Sequence, residues 1–305
     1  MKIEEIKKGF INRDIGALAK AITLVESSKE DEHNLAFSLI NESPSKTARV
    51  IGVSGPPGVG KSTFLNSITK ELLKNNDDIK IAILAVDPSS EISGGSILGD
   101  KTRMGEISSH PDVFIRPTAT GSFLGGTASR TFETIKMCES FGFDYIFIET
   151  VGVGQSESMV AHMVDQFILL ANPSAGDDLQ GMKRGVLEHV DLLLINKCDG
   201  ELESKAKIAL NFFDASDNFK VETISALMGS SINKVLSMVD EYFNKYDHSN
   251  RVKQFEQFAT SYFENYVNEQ IRKYKKSESF SDLRPKNLKQ LQSKTISRWR
   301  EFKTI

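Results

Sequence analysis

Residues 49–63 read RVIGVSGPPGVGKST: an apolar run, a glycine-rich turn, then the start of a helix-forming segment, STFLNSITKELLK. Gly55, Pro56, Pro57, Gly58, Val59, Gly60, Lys61 and Ser62 match G-x-x-x-x-G-K-[ST] at every position. Each residue type has a physical reason. The glycines let backbone N–H groups turn inward and close on phosphate oxygens. The helix beginning near Lys61 points its positive end at the same place. Lys61 adds a point charge between the β- and γ-phosphates, and Ser62 offers a hydroxyl to Mg²⁺.

Outward from this loop, short β runs alternate with helices. The runs are Arg49–Ser54, Lys80–Asp87, Val113–Arg116, Tyr145–Glu149, Gln166–Ala171, Leu192–Asn196 and Val221–Ile224. Several are almost wholly apolar, as in strands covered on both faces. The alternation predicts an α/β fold: a P-loop NTPase with a mainly parallel sheet flanked by helices. Residues 1–40 read as helices, with Leu18, Ala21, Ile22 and Val25 at helical spacing. A polar stretch, Asn41–Lys46, then reads as a linker. From Arg251 helical spacing returns, with Phe255, Phe258, Tyr262, Tyr266 and Val267 on one stripe, either core packing or a dimer seam. The expected organisation is a helical extension over 1–46, a nucleotide-binding domain over 47–248 and a second helical extension over 249–305.

The base is read from Asn196-Lys197-Cys198-Asp199, which ends the run LLLIN. A carboxylate at Asp199 accepts two hydrogen bonds from the N1–H and N2–H₂ edge of guanine. Adenine lacks that donor pair and would leave the carboxylate unpaired, which is costly. Ser225-Ala226-Leu227 follows the next β run and is expected to complete the base site. Magnesium needs hard oxygen ligands. Asp87 ends a strand, Asp100 lies in a glycine-rich loop, and Glu149 ends the run YIFIE. Glu149 with Gly152 stands in the place of D-x-x-G: a carboxylate, then a glycine whose N–H senses the γ-phosphate. No residue is an obvious base. Gln155 is the candidate for orienting the attacking water, and Lys183 for a cation that swings in when a partner binds.

Composition narrows the classes further. The chain has 305 residues and a net charge of −3, which argues against a mainly electrostatic nucleic-acid binder. The charge is uneven, at +7 over residues 251–305 and −10 over residues 1–250. Two cysteines, Cys138 and Cys198, form neither a disulfide framework nor a metal-ligand spacing, which fits a reducing cytoplasm. The opening MKIEEIKKGF lacks the apolar core of a signal peptide, and no run reaches the ~20 apolar residues of a membrane span.

The assembled residues resemble the MeaB/ArgK family, GTPase chaperones of methylmalonyl-CoA mutase and related adenosylcobalamin-dependent mutases. The stretches that carry the resemblance are Ala17–Ser27, Gly55–Thr63, Val86–Met104, Gly142–Glu157 and Pro173–Gly185, with NKCD and SAL. It implies a fold of the signal-recognition and nickel-chaperone branch, bound GTP or GDP with Mg²⁺, and a homodimer. It also implies three switch segments, within Asp87–Met104, Glu149–Glu157 and Asn172–Lys183. An adenosylcobalamin-dependent acyl-CoA mutase is the implied partner. With no obvious base or water-positioning residue, the expected activity is slow intrinsic hydrolysis of GTP to GDP and phosphate, raised by a partner. The alternatives are a metal-delivery GTPase of the same branch and a kinase built on the same phosphate loop.

Overall fold

A computed structural model describes residues 3–27, 29–43, 46–87, 104–105, 107–119, 124–150, 155–173, 187–214, 219–257 and 260. Seven strands form one parallel sheet in the order β3-β2-β4-β1-β5-β6-β7. They are β1 (Arg49–Ser54), β2 (Ile81–Asp87), β3 (Val113–Ala119), β4 (Tyr145–Thr150), β5 (Gln166–Ala171), β6 (Leu192–Ile195) and β7 (Lys220–Thr223). The central strands are buried along their whole length in β4 and β5, and at five of six positions in β1. That explains their continuous apolar spelling.

All seven β runs of the sequence are strands, and the differences lie at their ends. The run expected to stop at Arg116 continues through Pro117 to Ala119. Pro117 has no N–H to give a ladder, but among the described residues β3 is the edge of the sheet and pairs only with β2, so a missing donor costs little there.

Topology places the loops that matter. The chain leaves β1 toward β2 on one side and leaves β4 toward β5 on the other, so the direction of winding changes beside β1. Ligands of open parallel sheets bind at the carboxyl ends of strands beside such a switch. The register sets Val53 opposite both Glu149 and Ile168, and lines Ala171, Ile195 and Thr223 in one row. The segments after β1, β4, β6 and β7 therefore emerge on one rim.

Three helices precede the sheet: α1 (Ile3–Ile11), α2 (Ile15–Glu26) and α3 (Glu30–Glu42). Asp14 caps α2 by accepting from Ala17 N at 2.6 Å. The predicted stripe Leu18, Ala21, Ile22 and Val25 is fully buried. Arg116 of β3 donates to Ala19 O at 2.9 Å and to Glu26 at 2.6 Å, which fixes α2 to the sheet edge. Among the described residues further helices are α4 (Lys61–Asn75), α5 (Leu124–Phe141), α6 (Gln155–Ala161), α7 (Glu203–Asp214) and α8 (Ile232–Phe243).

The chain divides into two compact units, Met1–Glu256 and Gln257–Ile305. Within the first, a helical stretch over 249–256 buries Arg251 between two carboxylates, Asp165 (3.0 Å) and Glu139. Asp165 also accepts from Val50 N at 2.9 Å. Phe255 stacks on Phe132 of α5, ring centroids 3.7 Å apart. Phe258, Tyr262, Tyr266 and Val267, and with them the expected dimer seam, lie outside the described residues.

Candidate functional site

β1 ends at Ser54, and the loop Gly55–Gly60 carries the chain to the first turn of α4 at Lys61. Two of its glycines are required by close approach. A Cβ on Gly55 would stand 2.4 Å from Leu170 O of β5, and one on Gly60 2.5 Å from Asn196 Nδ2. Both have positive φ, +143° and +102°. Lys61 is buried, and its Nζ donates to Gly55 O at 2.7 Å and Pro56 O at 3.2 Å. The loop thus folds around its own ammonium. Ser62, in the first turn of α4, donates its hydroxyl to Glu149 Oε1 at 2.9 Å. Sequence positions 62 and 149 meet because β1 and β4 are adjacent in register.

The second half of the site follows β6 and β7. Asn196 is buried, and its side chain joins two loops: Nδ2 donates to Val59 O (2.8 Å) and Oδ1 accepts from Ala226 N (2.9 Å). Its role is to hold the phosphate loop and the Ser225–Leu227 turn at a fixed separation. Lys197 takes a left-handed conformation, φ +64°, and its Nζ reaches Gly58 O at 2.8 Å. Non-glycine residues held at positive φ are strained and cluster at functional sites. Asp199 is exposed, and its Oδ1 accepts from Ser225 Oγ at 2.8 Å, so the carboxylate is aimed by the turn after β7. Ser225 pairs with Ser230 across that turn, and Ser67 of α4 donates to Ala226 O at 2.5 Å. Leu227 is 77% exposed at the same rim. Cys198 stays a neutral thiol, since burial pushes its pKa up to about 11.

Of the expected magnesium ligands, Ser62 and Glu149 stand one hydrogen bond apart. Two hard oxygens at the first turn of a helix, beside a buried lysine, are a donor set suited to Mg²⁺. For Asp87 the structure describes the backbone as the last residue of β2. Gln155 is the first residue of α6; its side chain, like Asp100, Gly152 and Lys183, lies outside the described residues. Among the described residues, no group of three His, Cys, Asp or Glu side chains could hold a metal. No described helix is long and apolar enough to cross a membrane.

Sequence reasoning passed over Ser54, Thr150 and Glu157. Thr150 Oγ1 and Ser54 Oγ are 2.9 Å apart, and Ser54 donates to Glu157 Oε1 at 2.9 Å. Nothing in the spelling Gly154-Gln155-Ser156-Glu157 says that Glu157 turns back to β1.

A phosphate loop after a central parallel strand, with Asn196 tying it to an aspartate-bearing loop, defines a P-loop nucleotide-binding protein. The family model described as methylmalonyl-CoA mutase-associated GTPase MeaB matches residues 18–279, and the chain belongs to that family. A probable GTPase of Mycobacterium bovis is 48% identical over 205 residues, covering 67% of this chain and 60% of the relative. The chain thus spans less than two thirds of that protein's length. The GTPase ArgK of Escherichia coli is 39% identical over 252 residues, covering 79% of this chain and 76% of ArgK. A crystal structure described as a LAO/AO transport system kinase superposes with a TM-score of 0.67 at 28% identity, over 97% of both chains.

Proposed function

We propose that this chain is a Mg²⁺-dependent GTPase that attends an adenosylcobalamin-dependent acyl-CoA mutase of the methylmalonyl-CoA type, gating cofactor loading and protecting the mutase. The observation that carries the nucleotide reading is Asn196, bonded on one side to the phosphate loop and on the other to the base-site turn. That single side chain fixes the span between a phosphate end and a base end. The guanine assignment rests on Asp199, an exposed carboxylate oriented by Ser225. The mutase assignment rests on the family.

Hydrolysis needs positioning and charge neutralisation more than covalent chemistry. Water attacks the γ-phosphorus as the β–γ bridging oxygen leaves with GDP. Lys61 lies within the loop that would wrap the β- and γ-phosphates, where its charge stabilises the departing oxygen. Ser62 and Glu149 would hold Mg²⁺, joined by Asp87 and Asp100. When bound, the ion neutralises charge on the β- and γ-oxygens. Gln155, at the head of α6, orients the water. Lys183 supplies a further cation when the partner docks. The two helical extensions serve a homodimer, working in the cytoplasm.

Steady-state phosphate release from GTP, measured with and without a purified adenosylcobalamin-dependent acyl-CoA mutase, tests this function. Slow release alone, accelerated at least tenfold by the mutase, is the expected result. A rate untouched by saturating mutase would remove the chaperone assignment and leave a GTPase of other purpose. Release from ATP in preference to GTP would favour the kinase-like alternative.

A further inference from the structure

We infer that Glu157 is a positioning residue for GTP hydrolysis, acting through the Ser54 hydroxyl to clasp both ends of the segment that follows β4. The inference rests on the GTPase reading above. An ionised carboxylate can only accept, so Ser54 must donate to Glu157 Oε1 at 2.9 Å. Ser54 Oγ then has its lone pairs left for the Thr150 hydroxyl, also at 2.9 Å. The chain of bonds therefore runs one way, from Thr150 through Ser54 to Glu157. Both hydroxyl residues are fully buried, where a hydrogen bond is stronger and its loss costlier than in water.

Position gives the clasp its meaning. Ser54 is the last residue of β1, immediately before Gly55. Thr150 is the last residue of β4, immediately after Glu149. Glu157 is the third residue of α6, where a carboxylate also suits the positive end of the helix. One hydroxyl at the root of the phosphate loop thus fixes where the chain leaves the sheet and where the next helix begins. With Ser62 bonded to Glu149, three side-chain bonds join the phosphate-loop side to this segment. Gln155 lies two residues before Glu157 on the first turn of α6. A shift of that turn would carry the backbone of Gln155 with it, and small misplacements of a water-orienting group cost rate rather than binding.

Glu157→Ala, Ser54→Ala, their double variant and Glu157→Gln would be compared with wild type by single-turnover GTP hydrolysis, GDP affinity and thermal melting. The glutamine retains an acceptor oxygen. The expected result is a tenfold or greater loss of hydrolysis rate in each alanine variant, with GDP affinity within twofold of wild type. The double variant should be no slower than either single, because both break one chain of bonds. Glu157→Gln should recover at least half of the wild-type rate. Unchanged hydrolysis in the alanine variants, additive losses in the double, or a parallel fall in GDP affinity would each overturn the positioning role. Wild-type protein that turns over no GTP would instead overturn the function itself, and the clasp with it.

Discussion

Lys61, Asn196 and Glu157 show three degrees of legibility at the scale of single residues. Lys61 was readable because phosphate-loop chemistry fixes residue type and spacing together. Removing it should be severe: Lys61→Ala is expected to lower GTP turnover at least ~10²-fold, the scale of one electrostatic catalytic contact. Phosphate release by the purified variant checks this, and unchanged turnover would contradict the loop assignment. Asn196 was readable as part of the base motif, but its work as a tether between Val59 and Ala226 was not. That role depends on a through-space meeting of residues 59, 196 and 226, which no local spacing encodes. The bond from Ser54 to Glu157 is illegible for the same reason, since it joins residues 103 positions apart.

Among the elements, the buried parallel strands were the most legible. A strand covered on both faces is spelled apolar throughout, and β1, β4 and β5 follow that rule. Strand ends were less so, because Pro117 is a stop signal in isolation but tolerable at an edge. The entry to β6 holds a half-buried acid that the sequence did not flag. Asp191 accepts from Phe167 N at 2.7 Å, and burial raises its pKa to about 6, against the opposing effect of that bond. The folded state then binds more protons than the unfolded one between about pH 4 and pH 6. Stability from this group is full below that window and lost as pH rises through it. Asp191→Asn keeps an acceptor for Phe167 and removes the half-buried charge. It should stabilise the protein at pH 8 by on the order of 1–3 kcal/mol, and by almost nothing near pH 4. Urea unfolding at the two pH values is the test; an equal effect at both would mean the charge is not the cause.

At the scale of the whole molecule, sheet order does what motif reading alone cannot. Residues 62 and 149, and 59 and 196, are brought together by a strand order of 3-2-4-1-5-6-7. The parallel character was legible in the alternation of elements, but that order is set by packing at long range. The helical start of the chain was legible from its spacing. Its attachment was not, since Arg116 on an edge strand receives α2 across ninety or more residues of sequence. The matching family model is described as a GTPase, and in the proposed function the two bonded loops read a guanine nucleotide between them. Competition binding of GTP, XTP and ATP to wild type and to Asp199→Asn tests it most directly. Wild type should prefer GTP to both rivals by at least tenfold, about 1.4 kcal/mol. The asparagine variant should prefer XTP, because its amide donates to the 2-oxo group where the carboxylate could only accept. A variant that keeps full preference for GTP would contradict the claim and move base reading to another part of the chain.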